Sequence, residues 1–448
     1  MNILVIGGSY FLGKAFVELA AGSHAVTVLN RGNRKAAWKH ADVITQLCAD
    51  RHDPKRLKEL FDKEFQSGRG YDVVVDFCAY QAGDIRTLAE ILNGRIKQYI
   101  FISTCDVYRR GTGEVTDESG AFETRDFGGE AGAYILGKAA LERELADCAA
   151  EYAFAYTSVR PAFIYGPDNY APRESMFFNW ILQAGQVLYP VDADGSFQMV
   201  YVKDVAKSVL LCCGNEETYD QAFNVCGDGV MDYARYVECL EGVVEETRRT
   251  LCAHNVPGTE GTPQTQEAHG TADLPQTQEA HGTADFPGLP DRIEKVELTV
   301  ADVEARQIPL PFPLTKAESE QYSDEKIRRL GMEYTPAGTG MQETFAWFLK
   351  EQAQHKQPAS AAGGLDIDAI LQKVDDLFDE NRAKEAEQLL EKVHKEGYDA
   401  GMVEGLAKGR KDGREEMRRE TVKNLKAIGA SIETIMAATQ LSREEIEA

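Results

Sequence analysis

Apolar and polar positions along the first half of the chain switch repeatedly between two periods. Ile3, Leu4, Val5 and Ile6 form an unbroken apolar run, the pattern of a strand buried on both faces. Gly7 and Gly8 follow, and Gly13 closes the segment MNILVIGGSYFLG. Residues 14–20 then take helical spacing, with Phe16, Val17 and Leu19 apolar. The reading is strand, tight turn, helix. Strand patterns recur at 25–29 (AVTVL), 71–77 (YDVVVDF), 98–103 (QYIFIS), 155–159 and 223–225. Helical patterns fill 54–65, 85–92 and 134–150. Such alternation predicts an α/β fold, a Rossmann-type doubly wound parallel sheet covered by helices.

The texture changes after the last of these strands. PQTQEAHGTAD at 263–273 returns unchanged at 275–285. This duplication is polar, carries Pro and Gly, and has no apolar period, so 255–290 is read as a low-complexity insertion. Its His269 and His281 are too sparse for a metal site. Patterned sequence resumes at Ile293 and continues to Lys350. Residues 1–352 are therefore taken as one domain, with a smaller substrate-binding part after about 165. Residues 353–364 form a linker. Residues 365–448 form a separate all-helical tail: Ile367, Ile370, Leu371, Val374, Leu377 and Phe378 keep one apolar face. Glycines 397, 401, 405, 409 and 413 then stripe one side, at about 1 kcal/mol each against alanine. A capping box at Ser442 and Glu445 opens the last helix. Self-association or a protein partner is the expected role of the tail.

Composition narrows the partners. The 448 residues carry a net charge of −24, which weighs against a nucleic-acid or anionic-membrane surface. Nine cysteines without ligand spacing imply reduced thiols, no metal site and a cytoplasmic setting. No run reaches the roughly 18 apolar residues of a membrane helix, and no targeting segment is expected before the first strand.

The chemistry gathers around the glycine turn. Glycines let a backbone turn sharply and approach a pyrophosphate, while the helix start offers unpaired N–H groups. Gly7, Tyr10 and Gly13 are thus expected at the cofactor, although Tyr10 stands where a glycine is usual. The second strand ends at Asn30 and Arg31, with Arg34 and Lys35 beyond. An acidic residue there would favour NAD; these cations favour the 2′-phosphate of NADP. Asp50 and Arg51 follow another apolar segment, within reach of an adenine. Tyr134 and Lys138 lie i, i+4 on one helix face. A free phenol, with a pKa of about 10, is a poor base at neutral pH; a nearby ammonium favours its phenolate. Thr104, at the end of an apolar strand, supplies a hydroxyl to hold the substrate oxygen.

With these residues in view, the chain resembles the extended and atypical short-chain dehydrogenase/reductases, the NAD-dependent epimerase/dehydratase family. The likeness spans roughly residues 1–352. It rests on GGSYFLG, VTVLNRG (26–32), ADRHD (49–53), FISTCDVY (101–108), YILGK (134–138), RPAFIYGP (160–167), MVYVKDVA (199–206) and FNVCG (223–227). The resemblance implies Thr104, Tyr134 and Lys138 as the catalytic trio, and adds Phe11, Leu12, Ala79, Lys138 and Pro161 to the cofactor site. It implies hydride transfer at a hydroxyl or carbonyl carbon of a sugar-like or nucleotide-sugar substrate. Two positions depart from the family. Phe197 and Gln198 stand where nucleotide-sugar epimerases carry an Arg-Asp pair, and of the two acids that sugar dehydratases carry after the Thr the first is missing, Cys105 standing in its place before Asp106. The other reading of the same residues is a non-catalytic NADP-binding sensor or scaffold whose tail recruits partners.

Overall fold

The computed structural model describes residues 1–33, 37–68, 70–254 and 289–353. Arg34, Lys35, the duplicated repeat with His269 and His281, linker residues 354–364 and the tail 365–448 lie outside the described residues.

In chain order the first half runs β1 (Asn2–Ile6), α1 (Phe11–Ala20), β2 (Ala25–Asn30), β3 (Thr45–Cys48), α2 (Pro54–Gln66), β4 (Val73–Asp76), α3 (Asp84–Ile91) and β5 (Gln98–Ile102). It continues through β6 (Val115–Thr116), α4 (Gly129–Tyr152), β7 (Ala155–Pro161), β8 (Phe163–Tyr165) and α5 (Glu174–Ala184). Then come β9 (Gln186–Pro190), β10 (Phe197–Tyr201), α6 (Val202–Cys212), β11 (Gln221–Val225), β12 (Val230–Met231) and α7 (Tyr233–His254). The last described elements are β13 (Glu294–Leu298), α8 (Val300–Arg306), β14 (Gln321–Tyr322), α9 (Glu325–Arg329) and α10 (Ala337–Ala353).

Seven strands form one sheet in the order β3-β2-β1-β4-β5-β7-β11, every pair parallel. The order reverses at β1: the chain builds outward to β3, then returns to lay β4 on the other side. Val5 is in register with Val28 of β2 and Val75 of β4. The loops leaving β1 and β4 therefore part over a crevice at the carboxyl edge, where open α/β sheets bind ligands. Both faces of the sheet are covered. Leu4, Ile6, Val74, Tyr99 and Phe101 pack with Leu57 and Phe61 of α2, Ile85 and Leu88 of α3, and Leu141 and Leu145 of α4. On the opposite face α1 packs against α6.

After β8 the chain leaves for α5 and β9, re-enters the large sheet's layer with α6 and β11, and leaves again with α7. The smaller part holds a three-stranded sheet, β12-β10-β8, and the parallel pairs β9–β13 and β6–β14. Its core is aromatic: Phe197 stacks on Phe312 with centroids 4.0 Å apart, and Phe178 meets Phe345 at 4.9 Å. The elements on either side of 255–288 belong together. β13 pairs with β9, and Lys295 of β13 bridges Glu241 of α7 at 3.2 Å.

Gly13 sits where α1 crosses the glycine turn. A Cβ there would lie 2.7 Å from the Gly8 nitrogen and 2.9 Å from its Cα, and neither backbone atom can yield. Gly13→Ala is expected to lower stability by about 1–3 kcal/mol, the usual range for overpacking, read as a shift in the urea midpoint at unchanged slope.

Candidate active site

The turn after β1 is held from all sides. Gly7 and Gly8 take φ of 100° and 88°, values that L side chains rarely adopt. A Cβ on Gly7 would stand 2.6 Å from Cys78 Sγ, in the loop after β4. Trp38 Nε1 donates to the Gly8 carbonyl at 2.7 Å, and Asn30 Nδ2 donates to Ser9 Oγ at 2.9 Å. The bare turn leads into the first N–H groups of α1, so the residues present fit a dinucleotide's pyrophosphate. Phe11 and Leu12 are buried beneath it, while Tyr10 extends from the helix start. Arg31 is exposed just beyond β2. Asn30, by contrast, is engaged: its Oδ1 accepts from the Gly32 N–H at 3.0 Å and from Gln46 Nε2 at 3.1 Å.

Arg51 is not directed at an adenine. Its guanidinium forks onto Asp76 at 2.9 and 3.0 Å and donates to the Asp84 carbonyl at 2.9 Å. Asp76 ends β4 fully buried. Burial alone would raise its pKa, but Arg51, the Tyr99 hydroxyl at 2.6 Å and the Cys78 N–H at 2.8 Å hold it below the usual carboxylate range. A buried carboxylate at a strand end demands such a partner, and the adjacent β3 loop delivers one. Asp50 keeps its half-exposed side chain near the surface and accepts the His52 N–H at 2.9 Å.

The other wall of the crevice is α4. Tyr134, Lys138 and Glu142 follow one another at four-residue spacing on one face. Lys138 Nζ donates to the carbonyls of Ala79 at 3.0 Å and Ile102 at 2.9 Å, and lies 5.9 Å from the Tyr134 ring centroid. Burial lowers its pKa to about 8, with the charge of Asp76 opposing the shift. Glu142 anchors the same face to β7 through Arg160, at 2.9 and 2.6 Å. Tyr134 is 41% exposed and its phenol lies near the Thr104 side chain, whose Oγ1 donates to Asp106 Oδ2 at 3.2 Å and accepts the Asp106 N–H at 3.1 Å. Crowding around the phenol, then the charge of Asp106, raises its pKa; Thr104 and Arg173 oppose the rise. Thr104 is itself buried at the end of β5, and Pro161 is buried at the end of β7. The fold thus brings Thr104, Tyr134, Lys138 and Ala79 together.

Thr104 helps to line a cleft of about 390 Å³, open mouth included. Asp106, Arg110, Phe163, Ser196, Gln198 and Glu320 help to line it. Arg110 is ion-paired with Asp106. Gln198 is fixed by Tyr322, whose carbonyl accepts its Nε2 at 3.0 Å and whose N–H donates to its Oε1 at 2.8 Å. The sequence had marked Gln198 only as a departure and Asp106 only as the remaining acid of a dehydratase pair; Ser196 and Glu320 carried no local signal. Arg173 also escaped notice, and its guanidinium lies over the Phe163 ring at 5.1 Å.

Comparison with known proteins bears on this arrangement. The NAD dependent epimerase/dehydratase family matches residues 3–226. The chain belongs to that family. A curated relative, the chloroplast stem-loop binding protein of 41 kDa b from Arabidopsis thaliana, is 28% identical over 236 residues. The match takes in 51% of this chain and 59% of that protein, so the chain spans about three fifths of its length. Among solved structures, dTDP-glucose 4,6-dehydratase from Bacillus anthracis, in complex with NAD, aligns with a TM-score of 0.54 at 16% identity, covering 79% of this chain and 97% of its own. UDP-N-acetylglucosamine 4-epimerase from Methanobrevibacter ruminantium, in complex with UDP-N-acetylmuramic acid, aligns with a TM-score of 0.54 at 18% identity, covering 78% and 98%. These two likenesses show the epimerase/dehydratase fold. Among the described residues no helix is long and apolar enough to cross a membrane, and no group of His, Cys, Asp and Glu is placed to hold a metal ion.

In this family member the Asp76–Arg51 pair stands directly under the crevice. Arg51→Met strands a buried carboxylate, so a loss of about 3–5 kcal/mol is expected, measured by urea unfolding at neutral pH.

Proposed function

We propose that the chain is an NAD(P)-dependent oxidoreductase or epimerase acting at a hydroxyl or carbonyl carbon of a sugar-like or nucleotide-sugar substrate. The observation that carries this is the Tyr134 phenol close to Thr104, which lines an open cleft, with the Lys138 ammonium on the same helix face. The cofactor, when bound, supplies the hydride acceptor or donor and, oxidised, a positive charge near the phenol. Thr104 holds the substrate oxygen by hydrogen bond. Tyr134 takes the proton of that hydroxyl on oxidation and returns it on reduction. Lys138 favours the phenolate electrostatically, and with two of its three N–H donors on Ala79 and Ile102 it is fixed in place. The cleft's carboxylates, Ser196 hydroxyl and Arg110 suit a polyhydroxylated substrate. Solved relatives that act on or hold nucleotide sugars favour the same class.

Arg31 supports NADP over NAD. It is exposed at the end of β2 with no carboxylate in the acidic residue's usual place, and cations there receive a 2′-phosphate. Residues 1–352 would form the enzyme, and the tail a surface for self-association or a protein partner.

Three outcomes are expected. Tyr134→Phe abolishes turnover across a panel of carbonyl and sugar-nucleotide substrates while NADPH still quenches or shifts protein fluorescence; full activity would remove Tyr134 from the mechanism. Arg31→Ala weakens NADPH binding about tenfold and leaves NADH binding nearly unchanged. The rate also falls as pH rises through about 8, because the Lys138 ammonium is lost there; in Lys138→Met the remaining activity lacks that alkaline limb. The stability term has the opposite sense. Lys138 binds its proton more weakly folded than unfolded, where lysine titrates at about 10.4, so its contribution makes the fold more stable between those two values as pH rises.

A further inference from the structure

The segment between β8 and α5, residues 166–173, reaches back over the glycine turn. It is pinned at its middle. Asn169 is buried, and its Nδ2 donates to both oxygens of buried Glu174 at 2.9 and 3.1 Å. The Gly166 N–H donates to the same carboxylate at 3.1 Å. On either side of this pin one side chain reaches the start of α1. Asp168, at φ 65°, places its carboxylate 2.7 Å from Lys14 Nζ, the two side chains being 23% and 25% exposed. Tyr170 sets its ring 5.9 Å from that of Phe11 and 6.4 Å from that of Tyr10. Lys14 follows Gly13 in the first turn of α1, the end of the helix that offers free N–H groups to an anion.

We propose that Lys14 is the cation that receives the dinucleotide's pyrophosphate, and that Asp168 holds it in a competing ion pair, so that the segment carrying Asp168 and Tyr170 sets how tightly the cofactor is held. The inference rests on the dinucleotide-binding reading above. An ammonium half out of water gives its strongest interaction to one anion at a time. Entry of the pyrophosphate must therefore displace the Asp168 carboxylate, and the lost pair is subtracted from the affinity.

The test is a binding titration of the full chain with NADH and with NADPH, followed by protein fluorescence at low salt, and needs no substrate. Asp168→Asn is expected to tighten binding roughly threefold or more. Lys14→Met is expected to weaken it about tenfold, with Lys14→Gln as the second variant should Met disturb folding. Added to either Lys14 variant, Asp168→Asn is expected to change nothing, because the competition it relieves no longer exists. Unchanged or weaker binding in Asp168→Asn overturns the proposal. So does tightening that persists without Lys14, which would mark plain charge repulsion. If the unaltered chain binds neither dinucleotide, the dinucleotide reading itself falls and takes this inference with it.

Discussion

The Lys138 ammonium joins three parts of the chain that the sequence keeps far apart. It rises from α4 and donates to one carbonyl beyond the end of β4 and another at the end of β5. A buried cation without partners is costly, so α4 settles only where both carbonyls can be reached. That placement fixes Tyr134 one helical turn away, and with it the distance from the phenol to the Thr104 hydroxyl at the head of β5. One further turn along the same face, Glu142 meets Arg160, so the helix is tied at two points to the carboxyl edge of the sheet. The site's geometry is thus set by satisfying buried charge, with helix packing following.

The same logic governs the floor of the crevice. Asp76 closes β4 in a dry position, and Arg51, Tyr99 and the Cys78 N–H answer all of its demands. Pairs of this kind seldom add net stability over well-packed apolar residues. What they do here is fix the loop after β4, whose Cys78 Sγ closes on the glycine turn and whose Ala79 carbonyl receives Lys138. The carboxylate, the guanidinium and the ammonium form a chain of charge from the β3 loop to the phenol. A change in any one alters the electrostatic field felt at the next.

Much of this was legible before any coordinates. The apolar runs marked six of the seven strands of the large sheet, because a strand buried on both faces has no polar positions to confuse the pattern. The four-residue spacing of Tyr134 and Lys138 placed both on one face whatever the exact start of the helix, which begins five residues earlier than the periodicity alone indicates. The fate of Arg51 was not legible. A basic residue after an apolar segment looks the same whether it faces a ligand or a carboxylate, and its partner is 25 residues away at the end of β4, with β2 and β1 between. The cleft was equally hidden: Thr104 and Tyr322 line it from segments more than two hundred residues apart, β14 pairing with β6 across the insertion.

Tyr10 shows why a broken motif need not be a broken site. Three demands are bundled in a glycine-rich turn: positive φ, close approach of helix to strand, and room for a ligand. Gly7 and Gly8 meet the first, and Gly13 meets the second. At Tyr10 the backbone is extended, with φ −154° and ψ 152°, a conformation open to any residue. The left-handed conformation falls instead on Phe11, at φ 44°, where a side chain costs of order 1 kcal/mol or more. Phe11 is buried and its ring meets Tyr170 edge-on, and that packing offsets the strain. Only the third demand is altered, since Tyr10 adds bulk where glycine adds none. Its ring, too, is turned toward Tyr170. The bulk that replaces the middle glycine therefore packs with the segment after β8, and turn and segment form one packed unit.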